Sequence, residues 1–204
     1  MAIDLGFAHR FNPGTDPARP PLLLLHGTGG DEHDLVPLAE RVGPGHTIVS
    51  PRGRVSEMGM TRFFSRSPDG VWDRNDFAAR TTELAGFVKR ARAAYGLAAP
   101  IALGYSNGAN IAWSLLLKEP GLLAGAILLR AMAPFDPRPL PKLDGVPVLL
   151  IVGTYDGLIP VELATALADA LGEAGAEVSY EVLPAAHALT ERDLALASDW
   201  LARR

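Results

Sequence analysis

Apolar positions in this chain gather in short uninterrupted runs instead of alternating with polar ones. Leu22-Leu23-Leu24-Leu25, Thr47 to Ser50, Pro100 to Gly104, Ala124 to Leu129 and Val146 to Val152 all read this way. A strand that is apolar on both faces is one covered on both faces, as in a parallel sheet flanked by helices. Between these runs the apolar spacing becomes helical. Leu35, Leu38, Ala39 and Val42 mark one helix, with Asp31 as its expected N-cap. Leu84, Phe87, Val88 and Ala91 mark a second over Phe77 to Tyr95, with Asp76 as its cap. Helical spacing returns at Asn107 to Lys118, Val161 to Leu171 and Thr190 to Ala202, and Glu177 to Leu183 reads as a late strand. Ile3 to Phe11 is expected as an additional edge strand. The alternation predicts an α/β fold: one domain over residues 1–204, a mostly parallel sheet with helices on both faces, and no large cap domain.

One stretch breaks the rhythm. Residues 51–76 show no clear period, and such a segment inside a compact domain is usually functional or mobile. It is expected to be an irregular insertion that shapes a pocket. Phe63, Phe64 and Trp72 either line an apolar acyl site or anchor the loop, since pockets and loop cores use the same residue types. Arg52, Arg54, Arg62, Arg66 and Arg74 face Glu57, Asp69 and Asp73 within it. Ion pairing on a solvated surface is the favoured reading over an anion site.

Composition narrows the function classes. The chain is 48% apolar and 21% charged, with a formal net charge of −4, which argues against a nucleic-acid-binding surface over the whole protein. There are no cysteines, which removes disulfides, thiolate metal sites and cysteine nucleophiles together. The N-terminus has no basic region leading into an apolar one, and the apolar runs are too short to span a bilayer. A soluble, cytoplasmic protein without membrane partners is expected.

The chemistry-capable residues fall after the strands. In an open α/β sheet, ligands bind beyond the carboxyl ends of the strands. His26-Gly27-Thr28 follows one strand, Ser106 a second, Asp156 a third and His187 a fourth. Ser106 sits in Gly104-Tyr105-Ser106-Asn107-Gly108, on a strand-to-helix turn where only small residues fit two places before and after. A serine hydroxyl must lose its proton as it attacks, and a neutral imidazole within reach can take it. His187 is the expected base. Asp156 is the expected carboxylate on its far nitrogen, because the rivals Asp136 and Asp144 precede their strand instead of following it. The backbone N–H groups of Thr28 and Asn107 are the expected oxyanion donors. His26 is read as structural, bonded to backbone beside the glycine-rich loop. Asp31-Glu32-His33-Asp34 suits a helix start better than a metal, and no metal or cofactor is expected.

With these residues in place the chain resembles the phospholipase/carboxylesterase branch of the α/β-hydrolases. Leu25-His26-Gly27-Thr28-Gly29-Gly30-Asp31-Glu32 is similar to its oxyanion loop, and Gly104 to Asn110 to its nucleophile elbow. Gly153-Thr154-Tyr155-Asp156-Gly157-Leu158-Ile159-Pro160 and Ala186-His187 are similar to its acid and base regions. Pro51-Arg52-Gly53-Arg54, Arg62-Phe63-Phe64 and Leu129-Arg130-Ala131-Met132 resemble small bacterial carboxylesterases of the hydroquinone- and quinone-response type. The resemblance covers the chain from about Pro20 onward. It implies an α/β-hydrolase fold and a serine esterase acting on small carboxylic esters or thioesters, with no cofactor and a possible homodimer. The expected substrate-binding set is Phe63, Phe64, Trp72 and Met132. The branch usually carries Gly-x-Ser-Gln-Gly, whereas this chain has Asn107 after the serine. The alternatives are a thioesterase or lysophospholipase on the same triad, and a binding protein that has lost turnover. Acyl-chain profiling and covalent labelling separate them.

Overall fold

A computed structural model describes residues 4–65 and 72–204. Ile3, Arg66 and Asp69 of the sequence reading lie outside these residues. The strands β1 (His9–Asn12), β2 (Leu22–Leu25), β3 (Ile48–Pro51), β6 (Ile101–Tyr105), β7 (Gly125–Leu129), β8 (Pro147–Gly153) and β9 (Glu177–Leu183) form a seven-stranded sheet in the order β1-β3-β2-β6-β7-β8-β9. Only β1 runs antiparallel to its neighbour. Two further strands, β4 (Val55–Glu57) and β5 (Met60–Arg62), pair as a separate hairpin.

The uninterrupted apolar runs are explained by the two layers of helices. Leu22 and Leu24 pack in one core with α1 (Val36–Val42) and α5 (Glu191–Leu201). Leu23 and Leu25 pack on the other face with α2 (Arg74–Tyr95), α3 (Asn107–Lys118) and α4 (Val161–Glu173). Strand β8 divides the same way, with Leu149 and Ile151 on the first face and Val148, Leu150 and Val152 on the second. Strand β9 has a neighbour on one side only and is largely half-exposed, as its mixed residues suggest. No helix of the described residues is long and apolar enough to cross a membrane.

Four local expectations are corrected. The edge strand starts at His9, because Gly6 takes φ +80° and Asp4 turns back to accept its N–H; Leu5 and Phe7 enter the core instead. Helix α1 starts at Val36, not at Asp31. Asp31 accepts the His33 N–H in a turn, and Pro37 sits in the first turn of the helix, where its missing N–H costs nothing. Helix α2 starts earlier than Phe77, capped by Asp73, which accepts the N–H groups of Asn75 and Asp76. Asp76 instead accepts the N–H and hydroxyl of Ser65, tying the insertion to the helix. Finally, residues 51–76 are not wholly irregular. Glu57 faces Met60 across a two-residue turn, with Met58 at φ +51° and Gly59 at φ +77°. Two positive φ values in sequence match the right-handed twist of a hairpin.

Candidate active site

The carboxyl ends of β2, β6, β8 and β9 bring the expected residues together. Ser106 caps α3 with φ +51° and ψ −114°, a conformation that a non-glycine residue adopts only where its surroundings impose it. Its N–H donates to Leu129 O and its carbonyl accepts the Asn110 N–H, which fixes the turn on both sides. The flanking glycines follow from crowding. A Cβ on Gly104 would lie 2.6 Å from Ala109 Cα, and one on Gly108 would lie 1.9 Å from Leu25 O.

From Ser106 a hydrogen-bond chain runs inward. His187 Nε2 is 3.0 Å from Ser106 Oγ, and its Nδ1 is 2.8 Å from Asp156 Oδ2. The Asp156 side chain is fully buried, and its other oxygen accepts the N–H groups of Leu158 and Ile159. The carboxylate is thus held in the turn that leads into α4, with one oxygen left for the imidazole. Tyr105 donates its hydroxyl to His187 O at 3.1 Å, and burial pushes that phenol's pKa up.

The glycine-rich loop lies on the other side of Ser106. Its Gly29 N–H donates to Thr61 O of the hairpin, and its Gly30 N–H donates to Gly27 O. Both groups are therefore used, whereas the Thr28 N–H is bonded by none of these turns. Asn107 is the first residue of α3, so its N–H has no acceptor within the helix. His26 supports the loop from beneath, as expected for a structural histidine. Its Nδ1 hydrogen-bonds Gly27 O at 2.7 Å, and the Gly53 N–H donates to its Nε2 at 2.9 Å. One ring nitrogen donates and the other accepts, so the imidazole is neutral in this arrangement. Burial lowers its pKa accordingly.

A cavity of about 200 Å³ opens beside Ser106. Phe64, Trp72 and Met132 line it, as the sequence suggested, together with Thr28 and Asn107. Phe63 does not. It is 2% exposed, its ring packs on His26 at 4.6 Å, and its N–H donates to Asn107 Oδ1 at 2.7 Å. Neighbouring residues leaving a strand point to opposite sides, which is why one of two adjacent phenylalanines reaches the cavity. Trp113 is core, and its indole N–H donates to Met132 O. The arginines of the insertion divide. Arg52 pairs with Glu32, holding that carboxyl below its ordinary range, and Arg54 lies 3.7 Å from Glu83. Arg74 lies over the Phe135 ring, whereas Arg62 is buried, donates to Phe64 O and also lines the cavity.

One role was not legible beforehand. Arg130, at φ +60° just after β7, is fully buried and ion-paired with fully buried Asp193 of α5. Its guanidinium donates to Ala186 O at 3.1 Å and to Ala188 O at 3.2 Å, the carbonyls on either side of His187. Asp193 also accepts the N–H and hydroxyl of Thr190, completing the cap of α5. The spacing Thr190-x-x-Asp193 is a readable capping signal. The arginine that shares the carboxylate comes from a distant strand end and leaves no local trace.

With this geometry in view, comparison with known proteins is direct. The model of the phospholipase/carboxylesterase family matches residues 9–203. The chain belongs to that family. This phospholipase/carboxylesterase-family member is 42% identical over 181 residues to a Bacillus subtilis (strain 168) protein named "Putative hydrolase MhqD", covering 88% of this chain and 90% of that one. It superposes on the Bacillus cereus carboxylesterase with a TM-score of 0.93 at 40% identity, covering 97% and 94% of the two chains. Against the Mesorhizobium loti carboxylesterase the TM-score is 0.91 at 36% identity, covering 100% and 98%. The family member has the α/β-hydrolase fold and is an esterase-type hydrolase.

Proposed function

We propose that this hydrolase cleaves small carboxylic esters through an acyl-enzyme on Ser106. The observation that carries this reading is the unbroken hydrogen-bond chain from Asp156 through His187 to Ser106. Ser106 Oγ attacks the ester carbonyl carbon while His187 Nε2 takes its proton, and Asp156 stabilises the resulting imidazolium. The negative charge forms on the former carbonyl oxygen, between the N–H groups of Thr28 and Asn107. Collapse of this intermediate breaks the bond to the alcohol oxygen, which leaves with the proton from His187. A water molecule, deprotonated by the same nitrogen, then attacks the acyl-enzyme and releases the acid.

The cavity size supports a short acyl group. At roughly 30 Å³ per water-sized group, about 200 Å³ holds on the order of six or seven heavy atoms. The expected acyl profile peaks at two to four carbons and falls with longer chains, against the steep rise a lysophospholipase would give. The test of the reading is covalent. A fluorophosphonate should label the protein stoichiometrically, and Ser106→Ala should abolish labelling and lower kcat by at least about 10⁴-fold. Labelling or full turnover in that variant would sink the proposal.

A further inference from the structure

The leaving alcohol must face His187 Nε2, because that nitrogen supplies its proton. His187 is not among the residues that line the cavity beside Ser106. The cavity therefore receives the acyl side of the ester, and its own chemistry bears on which acid is cleaved. This role of the cavity rests on the esterase reading above and adds a substrate class to it.

Asn110 lines this cavity from α3, three residues after Asn107 and so on the same face of the helix. Only 4% of it is exposed. Its Oδ1 accepts the Met132 N–H at 3.0 Å, and its amide nitrogen has no hydrogen-bond partner among the described residues. Asn107 shows the same division: Oδ1 accepts the Phe63 N–H, and Nδ2 is enclosed without a partner. Both asparagine acceptors are thus occupied, and what Asn110 offers the cavity is a donor. That nitrogen is not among the sealed, unpartnered atoms, so water in the cavity serves it until an acyl group displaces that water. A purely hydrocarbon acyl chain would strip water from that donor and give nothing back. An acyl chain carrying an oxygen would satisfy it.

We propose that the cavity selects short acyl groups bearing a hydroxyl, ether or keto oxygen near the ester carbonyl, and that Asn110 Nδ2 donates to that oxygen. A site built to pair a polar group discriminates strongly against the analogue that lacks it. The experiment compares phenyl methoxyacetate with phenyl butyrate, and phenyl 3-methoxypropanoate with phenyl pentanoate. In each pair an oxygen replaces one methylene. Each kcat/KM is divided by the hydroxide-catalysed rate of the same ester, which removes intrinsic reactivity. The wild-type protein should prefer the oxygenated member of at least one pair by about tenfold or more. Asn110→Asp retains an acceptor for the Met132 N–H and replaces the donor by a second acceptor, so the preference should vanish or reverse. Asn110→Leu, of similar size and without any donor, is measured alongside and should lose it as well. A corrected wild-type ratio of one in both pairs overturns the proposal whatever the variants do. An undiminished preference in a folded variant overturns the role of Asn110. Failure to turn over any phenyl ester, with Ser106 unlabelled, would instead overturn the esterase reading.

Discussion

Asn107 shows how one side chain can serve a site through its neighbours. Its backbone N–H is the proposed oxyanion donor, and its Oδ1 holds the Phe63 N–H, which keeps the end of the hairpin against the elbow. The branch it resembles usually has a glutamine here; asparagine is one methylene shorter and still reaches the loop. Asn107→Ala keeps the backbone donor and strips the Phe63 N–H of its partner in a buried position. The expected cost is about 1–3 kcal/mol of stability, the range for orphaning a buried polar group. Urea denaturation measures it. Activity toward phenyl acetate should fall by less than about tenfold, far less than in Ser106→Ala, because the oxyanion N–H survives. A loss as large as that of Ser106→Ala would show that the side chain itself takes part in the chemistry.

At the scale of elements, the site depends on how α5 and the end of β7 grip the loop that carries His187. Arg130 and Tyr105 between them bind the carbonyls of Ala186, His187 and Ala188. Removing one partner of a fully buried ion pair costs about 3–5 kcal/mol, whereas replacing both by apolar residues is often close to neutral. Arg130→Met should therefore destabilise the protein strongly, and Arg130→Met with Asp193→Leu should regain part of that loss, short of the roughly 0.5–2 kcal/mol of the Thr190 cap that Asp193 also supplies. Catalysis should not follow stability. The double variant still lacks the donors to Ala186 and Ala188, so its kcat should stay about 10- to 100-fold low with KM little changed, as small misplacements of a base produce. Recovery of kcat together with stability would reduce the pair to a packing device. This clamp marks the boundary of what the sequence discloses. The strand-end positions of Ser106, Asp156 and His187 were legible because apolar runs and helical periods locate strand ends. The hairpin was not, because Val55–Glu57 and Met60–Arg62 are too short to show a period. Nor was the separation of Phe63 from Phe64, since facing direction depends on register, and a one-residue shift exchanges the two.

For the molecule as a whole, the buried support beneath the site makes stability depend on pH in a particular window. His26 bridges the glycine-rich loop to Gly53, joining the segments that follow β2 and β3, and it does so as a neutral ring. Burial is the main cause of its lowered pKa; the carbonyl of Gly27 and the acids at 31, 32 and 34 oppose the shift without cancelling it. In the unfolded chain the same histidine titrates near 6.5. Between that value and the lower folded one, the unfolded state binds a proton that the folded state does not. Stability is therefore fully present above about pH 6.5 and is lost as pH falls toward the folded pKa, by up to about 1.4 kcal/mol per unit for one proton. The carboxylates with lowered pKa act in a different range. Glu32, held low by Arg52, and Asp76, where burial is outweighed by the Ser65 hydrogen bonds and Arg80 together, lose their contributions only below their ordinary values of 4.5 and 3.8. Urea titrations at intervals from pH 7.5 to 5 should thus show a decline that starts near 6.5. His26→Gln offers a neutral side chain that can accept the Gly53 N–H, and it should lower stability at pH 7.5 while flattening the decline between 6.5 and 5. An equal slope in the two proteins would mean that His26 carries no part of the acid sensitivity.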